Sequence, residues 1–152
     1  MKYLKTKLAT KKIIIGRTDR ADFPKLKIEG IDIKIDTGAY TSSIHCKDIE
    51  EADGVLYATL LDEEHDQYHG KRLSFEEYKI TSVRSSNGSV DLRYEVQGNI
   101  RLFKKLYKIS LTLSNREEMK YPVLIGRKFL STKFIVDPEL QDVSYLHSQY
   151  ED

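Results

Sequence analysis

A strict alternation of isoleucine with charged residues in Ile31–Asp36 is the feature that most constrains the fold. Isoleucine occupies positions 31, 33 and 35, and aspartate or lysine occupies positions 32, 34 and 36. Because successive side chains of a β-strand point to opposite faces, this pattern predicts a strand with one buried face. Thr37 and Gly38 follow at once, and glycine lets the backbone bend tightly there. The segment therefore predicts a strand that delivers the carboxylate of Asp36 into a turn.

Other short runs, rich in β-branched and aromatic residues, predict further strands. They are Lys12–Gly16, Val55–Leu61, Phe75–Val83, Val90–Val96, Tyr107–Leu113, Val123–Ile125 and Phe134–Val136. Asn87 and Gly88 lie between two of these runs, and Asn-Gly is a strong hairpin signal because both residues tolerate positive φ. Helical signals are limited to short turns at Asp48–Ala52 and Arg127–Ser131. The chain is therefore predicted to be mainly β, as a barrel or a sandwich.

Length and charge limit what such a chain does. With 152 residues we expect one domain, residues 1–152, with residues 1–10 as a flexible, lysine-rich arm. The net charge of +1 predicts neither a nucleic-acid partner nor a membrane partner, and no apolar run has the length of a signal peptide or membrane span. The single cysteine, Cys46, excludes an internal disulfide and favours a reducing, cytoplasmic location.

Asp36-Thr37-Gly38 has two interpretations. A strand-end aspartate in an Asx turn is common. Alternatively, aspartic proteases place two such carboxylates in contact, where they share one proton, so that one activates water and the other protonates the substrate carbonyl. The apolar run Val123–Ile125 followed by Gly126 suits a segment that packs beneath such a loop. The chain contains one Asp-Thr-Gly, so a pair of these aspartates requires a second chain.

Taken together, the motifs resemble those of the retropepsins. More closely, the chain is similar to the bacterial retropepsin-like family labelled "ATP-dependent zinc protease", which is often found beside ATP-grasp glutamate ligases. The matching stretches are Ile15–Arg17, Ile33–Ala39, Thr41–His45, Val83–Gly88, Arg93–Tyr94, Leu111–Met119, Leu124–Arg127 and Val136–Pro138. The resemblance extends over residues 13 to 146.

This resemblance implies a closed β-barrel of the half-pepsin type with one short helix, and a homodimer that brings two copies of Asp36 together. It implies catalytic roles for Asp36, Thr37 and Gly38, and an aspartic endopeptidase acting on peptide bonds. Tyr40 departs from the family, which usually has a basic residue at this position beside the catalytic loop.

Substrate contacts are expected at the loop, at the hairpin and at three arginines. The candidates are Ala39, Arg84, Asn87, Gly88, Arg93 and Arg127. A hairpin at Asn87-Gly88 is able to close over a substrate as a flap does. Arginine binds carboxylates through two parallel hydrogen bonds, so an acidic or glutamate-extended tail is a plausible substrate, and a glutamate ligase is a possible partner. Any one of these arginines also fits a solvated surface charge, and Arg127 equally fits a salt bridge at a dimer interface.

Two other functions stay open. One is a non-catalytic peptide-binding module of the same fold. The other is a zinc-dependent hydrolase that uses His65 and His69, which lie four residues apart with an acidic residue after the first, close to the H-E-x-x-H pattern. Gly70 follows the pair and no apolar face precedes it, so we expect a solvated loop and no metal site. No nucleotide-binding motif occurs, and no cofactor is expected.

Overall fold

The computed structural model describes residues 11–84, 87–115 and 120–150. The strands in these ranges are β1 (Ile13–Ile15), β2 (Thr18–Phe23), β3 (Ile28–Ile35), β4 (Ser42–Ala52), β5 (Val55–Leu60), β6 (Arg72–Phe75), β7 (Lys79–Arg84), β8 (Val90–Leu102), β9 (Lys105–Ser114), β10 (Val123–Ile125) and β11 (Phe134–Val136). The α-helices are α1 (Arg127–Leu130) and α2 (Val143–Tyr150), and Pro24–Leu26 forms a 3-10 helix. The predicted arm at 1–10, and residues 85–86 and 116–119 of the matching stretches, lie outside the described ranges.

Six strands close into a β-barrel in the order β10, β3, β2, β8, β9, β4. Strand β10 closes the ring, because Val123 pairs in parallel with Ile33 of β3 and antiparallel with Ile44 of β4. Strands β5 and β6 continue the sheet from β4, while β7 pairs with β8 and β1 pairs with β11. The prediction of a mainly β chain with a closed barrel and a short helix is confirmed.

Strand β3 shows why the barrel forms from this sequence. Ile31, Ile33 and Ile35 are buried, while Asp32 and Lys34 on the other face are exposed. Burying an isoleucine side chain stabilises the fold by about 1.5–3 kcal/mol. A register slip of one residue would turn all three isoleucines to solvent and lose this stabilisation. The alternation in the sequence therefore fixes which face of β3 lines the core.

The helices differ from the expectation at two places. The helical turn predicted at Asp48–Ala52 is wrong, because this segment continues β4 and pairs with β5, for example Glu51 with Leu56. The turn at Arg127 is confirmed as α1. Helix α2 has no clear sequence signal. At its start, the buried carboxylate of Asp19 accepts hydrogen bonds from the N–H groups of Ser144 and Tyr145, at 2.9 and 3.0 Å.

Within the described ranges, no helix combines the length and apolar character needed to cross a membrane.

Candidate active site

Asp36 lies at the end of β3, half-buried, in a loop that its own backbone hydrogen bonds define. Its N–H donates to the carbonyl of Ile125 in β10 at 2.8 Å, and its carbonyl accepts the N–H of Ala39 at 3.2 Å. The carboxylate oxygen Oδ1 accepts the N–H of Gly38 at 3.1 Å. The barrel therefore fixes the backbone before this carboxylate, the loop fixes the backbone after it, and one backbone donor orients the carboxylate itself.

Gly126 provides the close contact beneath this loop that the sequence predicts for the apolar run and its glycine. A Cβ at position 126 would lie 2.5 Å from the carbonyl oxygen of Thr41 and 2.6 Å from that of Tyr40. The Gly126 N–H also donates to the Oγ of Ser42 at 3.0 Å. Position 126 therefore accepts no side chain. Sequence reasoning gave Ser42 no role, although it lies in one of the matching stretches.

Arg127 binds the other side of the loop. Its backbone N–H donates to the carbonyl of Ala39 at 2.8 Å, and its guanidinium donates to the carbonyl of Thr37 at 3.3 Å. The guanidinium carbon also lies 5.6 Å from the centre of the Tyr40 ring, within cation–π range. Arg127 and α1 therefore hold the loop in place, a role that the sequence analysis did not assign.

The predicted hairpin is formed by β7 and β8, which pair from Lys79↔Glu95 to Arg84↔Val90. At its tip, the Asn87 side-chain oxygen accepts the N–H of Ser89 at 3.0 Å, and Gly88 has a φ of +88°. A positive φ favours glycine, which agrees with the turn signal in the sequence.

The arginines of the hairpin occupy different environments. Arg84 is exposed at the end of β7, whereas Arg93 is partly buried in β8 and lies 3.7 Å from the carboxylate of Asp91. The structure thus joins Asp36, its loop and Arg127 in one network of contacts, and places Arg84 and Arg93 on the hairpin with Asn87 and Gly88. Their roles in substrate binding stay predictions.

One face of the hairpin is apolar and exposed. Paired residues, and residues two apart on one strand, point to the same face of a hairpin. Ile80 pairs with Tyr94 and Leu92 pairs with Ser82, and Val90, Leu92 and Tyr94 follow one another at two-residue steps in β8. Ile80, Val90 and Leu92 therefore share this face. Their exposed fractions are 57%, 56% and 75%. Three large apolar side chains in solvent are typical of a surface that contacts a ligand or another chain.

A cavity of about 170 Å³ opens beside the Asp36 loop. It is lined by Thr41, Ser42, Glu95, Gln97, Lys108, Ile109, Ser110, Lys128, Phe129 and Lys133. Glu95 is buried and lies 3.1 Å from the ammonium group of Lys79. The lining therefore contains three lysines and one carboxylate, that of Glu95, which already pairs with Lys79. Its net charge is positive, which suits an anionic group.

The His65 and His69 pair does not lie on a helix, which the H-E-x-x-H pattern requires. The segment 61–70 contains turns and no helix, and the Nε2 of His69 lies 3.3 Å from the carbonyl of Leu26. Instead, His65 belongs to a group that we call the histidine–aspartate cluster: His45, Asp62 and His65. Nε2 of His45 lies 2.7 Å from Asp62 Oδ2, and Nδ1 of His65 lies 3.0 Å from Asp62 Oδ1. Sequence reasoning missed this cluster because His45 and Asp62 come together only through the pairing of strands.

The surroundings of Asp62 and of the neighbouring Cys46 shift the pKa values of these two side chains in opposite directions. Burial raises the pKa of Asp62, but hydrogen bonds from the Glu64 N–H, His45 and His65 outweigh it and leave the pKa below its usual value. Asp62 is therefore a carboxylate at neutral pH. Burial raises the pKa of the Cys46 thiol far above its usual value, so Cys46 is protonated and serves neither as a nucleophile nor as a ligand.

A family model described as RimB-like, retropepsin-like aspartic endopeptidase RimB, matches residues 14–146. The chain belongs to this family. The match includes the loop of Asp36, the β7–β8 hairpin and every strand of the barrel, so the barrel is of the retropepsin type and the resemblance seen in the sequence is confirmed.

Several relatives are longer proteins that match this chain over part of their length. A probable alpha-L-glutamate ligase of Shewanella halifaxensis is 33% identical over 137 residues, which cover 86% of this chain and 30% of the ligase. A protein of the same name from Desulfotalea psychrophila is 34% identical over 136 residues, covering 86% of this chain and 29% of the ligase. The chain thus spans about 30% of the length of these curated relatives. The crystal structure of the Legionella pneumophila protein Lpg0085, of unknown function, has a TM-score of 0.68 and 27% identity, and the alignment covers 88% of this chain and 99% of that one.

Proposed function

We infer that this protein is an aspartic peptidase, a single retropepsin-like domain that works as a homodimer in which Asp36 of each chain forms the catalytic pair. The observation that carries this proposal is the position of Asp36: it follows β3 directly, its N–H bonds to β10, and Gly126 packs against its loop. The chain contains one Asp-Thr-Gly, so the second carboxylate comes from a second copy.

The reaction needs two carboxylates that hold one proton between them. The ionised carboxylate takes a proton from a water molecule, which attacks the carbonyl of the scissile bond, and the protonated one gives its proton to that carbonyl oxygen. Thr37 and Gly38 shape the loop, and the Gly38 N–H orients the Asp36 carboxylate. The hairpin, with Asn87 and Gly88 at its tip and an apolar exposed face, closes over the peptide and excludes water.

The substrate class that we propose is an acidic or glutamate-extended tail. Positive charge lies on the hairpin at Arg84 and Arg93, beside Ala39 at Arg127, and in the cavity, which three lysines line. The family relatives named alpha-L-glutamate ligases support the same substrate class and suggest a ligase as a partner. We place this activity in the cytoplasm, since Cys46 is a buried free thiol.

Mixing subunits tests whether the catalytic pair is intermolecular. At equal total chain concentration, an exchanged one-to-one mixture of wild-type and Asp36→Asn chains should show about one quarter of the activity of wild type alone, because only dimers with two intact chains work. Independent monomers would retain about one half. Light scattering that finds only monomers, with and without an acidic peptide, would contradict the proposed assembly.

The acidic preference makes a separate prediction for the hairpin arginines. Arg84→Ala or Arg93→Ala should lower kcat/KM for a glutamate-rich peptide by roughly 10- to 100-fold, since a hydrogen-bonded charge pair contributes about 1.5–3 kcal/mol, and should change turnover of a neutral peptide far less. Arg72→Ala is the control, because Arg72 lies on β6 and pairs with Glu50 at 3.2 Å. Equal losses on both peptides would reject the acidic preference and leave the peptidase proposal standing.

A second candidate is a non-catalytic binding module of the same fold. It is favoured by the finding that the matching region makes up about 30% of longer proteins that are named ligases. Such a module would bind glutamate-rich peptides with wild-type affinity in both wild-type and Asp36→Asn forms, and neither would cleave them. Isothermal titration with an acidic peptide, run beside a cleavage assay, separates the two functions.

A further inference from the structure

The histidine–aspartate cluster lies outside the proposed active site and takes no part in the peptidase proposal. His45 comes from β4, Asp62 follows β5, and His65 lies in the connection from β5 to β6. One ligand atom from each of the three residues lies within 4.8 Å of the other two. Both oxygens of Asp62 face an imidazole nitrogen, at 2.7 Å from His45 and 3.0 Å from His65.

The backbone holds these side chains in position before any ligand binds. The N–H of Leu61 donates to the carbonyl of His45 at 2.9 Å, and the N–H of His65 donates to the carbonyl of Asp62 at 3.0 Å. Asp62 Oδ1 also accepts the N–H of Glu64 at 2.9 Å. Leu61, immediately before Asp62, is fully buried and has a φ of +64°, which is unfavourable for a residue with a side chain. The fold therefore accepts local strain at the residue that directs Asp62 toward His45.

The chemistry of the three donors suits a transition metal. Two imidazole nitrogens and one carboxylate oxygen form a ligand set used for zinc and its neighbours, whereas calcium and magnesium prefer oxygen ligands alone. The His45 side chain is 1% exposed, while those of Asp62 and His65 are 12% and 16% exposed. The cluster is thus buried on the His45 side and reaches solvent on the His65 side, where an ion can enter and keep a water molecule as a fourth ligand.

We propose that Nε2 of His45, the carboxylate of Asp62 and Nδ1 of His65 bind one divalent transition-metal ion of the zinc class. Each imidazole binds through the nitrogen that now faces Asp62, and the proton of that hydrogen bond moves to the other ring nitrogen when the ion binds. The ion joins β4 to the connection between β5 and β6. The two histidine ligands are His45 and His65, and not His65 and His69, the pair that lies close together in the sequence.

The test uses the whole chain of 152 residues, freed of metal with a chelator and then given zinc or cobalt. Wild type should bind one ion per chain by elemental analysis, give the visible absorption of tetrahedral cobalt, and melt roughly 5–10 °C higher with zinc at a hundred times its Kd. Asp62→Asn and His65→Ala should lose the bound ion, the cobalt spectrum and the thermal shift. His69→Ala is the matched control from the same segment and should keep all three, because His69 contacts the carbonyl of Leu26 instead.

Two results would overturn the proposal. The first is wild-type protein that takes up no more zinc or cobalt than Asp62→Asn does. The second is a loss of binding in His69→Ala as large as that in His65→Ala. His65 is partly exposed, so its alanine variant is expected to fold and keeps the test valid if Asp62→Asn is unstable; circular dichroism checks this. None of these measurements depends on peptidase activity, so the metal site and the peptidase proposal fail or succeed separately.

Discussion

Replacing Asp36 with asparagine should reduce peptide hydrolysis by at least about a thousandfold while leaving the fold and the dimer intact. The amide is nearly the same shape as the carboxylate, but it does not take a proton from water, and the two amides of the dimer share no proton between them. Its side-chain oxygen still accepts the Gly38 N–H that Oδ1 accepts at 3.1 Å, so the loop keeps its conformation. Both chains of the variant dimer carry the neutral amide, so the repulsion between the two carboxyl groups is gone and the melting temperature should stay equal or rise.

Asp32→Asn is the matched control for this variant. Asp32 lies on the same strand, four residues earlier, is exposed, and faces Arg20 at 3.8 Å. An exposed ion pair of this kind contributes little, so the control should keep wild-type turnover and stability. Peptide cleavage by purified Asp36→Asn at the wild-type rate would rule out the aspartic mechanism. If neither wild type nor the variant cleaves a broad peptide library, the binding-module function is the better one.

Gly126→Ala should destabilise the protein by about 3 kcal/mol, at the upper end of the usual cost of inserting atoms into a packed site. The new methyl group would lie 2.5 Å from the Thr41 carbonyl oxygen and 2.6 Å from that of Tyr40. These are backbone atoms, and Gly126 itself donates to Ser42, so the strain is relieved only by moving the loop or β10. We expect the midpoint of thermal unfolding to fall by roughly 10 °C, and activity to fall with the displaced loop.

Gly98→Ala separates this contact from a general effect of losing glycine. Gly98 is also buried in the barrel, in β8, but a Cβ there would meet only the Cδ1 atom of Leu111 at 3.9 Å, an ordinary contact. Its unfolding free energy should change by less than about 1 kcal/mol. A Gly126→Ala protein that unfolds at the wild-type temperature would mean that the loop does not pack against position 126 as described.

Local patterns predicted several strands well and failed where distant contacts decide. The run Phe75–Val83 looks continuous, but the chain forms β6 and β7, which pair with β5 and β8 respectively. The segment Asp48–Ala52 has helical composition, but pairing with β5 satisfies its backbone groups instead. Helix α2 begins at a carboxylate 125 residues away, in β2, which no window of neighbouring residues includes.

The sequence by itself determined the class, the motif and the face of β3. The alternation in Ile31–Asp36 reflects only the two-residue period of a strand, and the Asn-Gly turn reflects only the backbone freedom of its residues, so both are local properties. Tertiary structure alone decided which distant residues contact one another. Strand pairing set Gly126 against the Asp36 loop, directed the Arg127 guanidinium to Thr37, and brought His45 to Asp62 and His65 rather than His65 to His69. These contacts depend on which strands become neighbours when the barrel closes, and that depends on burying the apolar faces of all its strands at once.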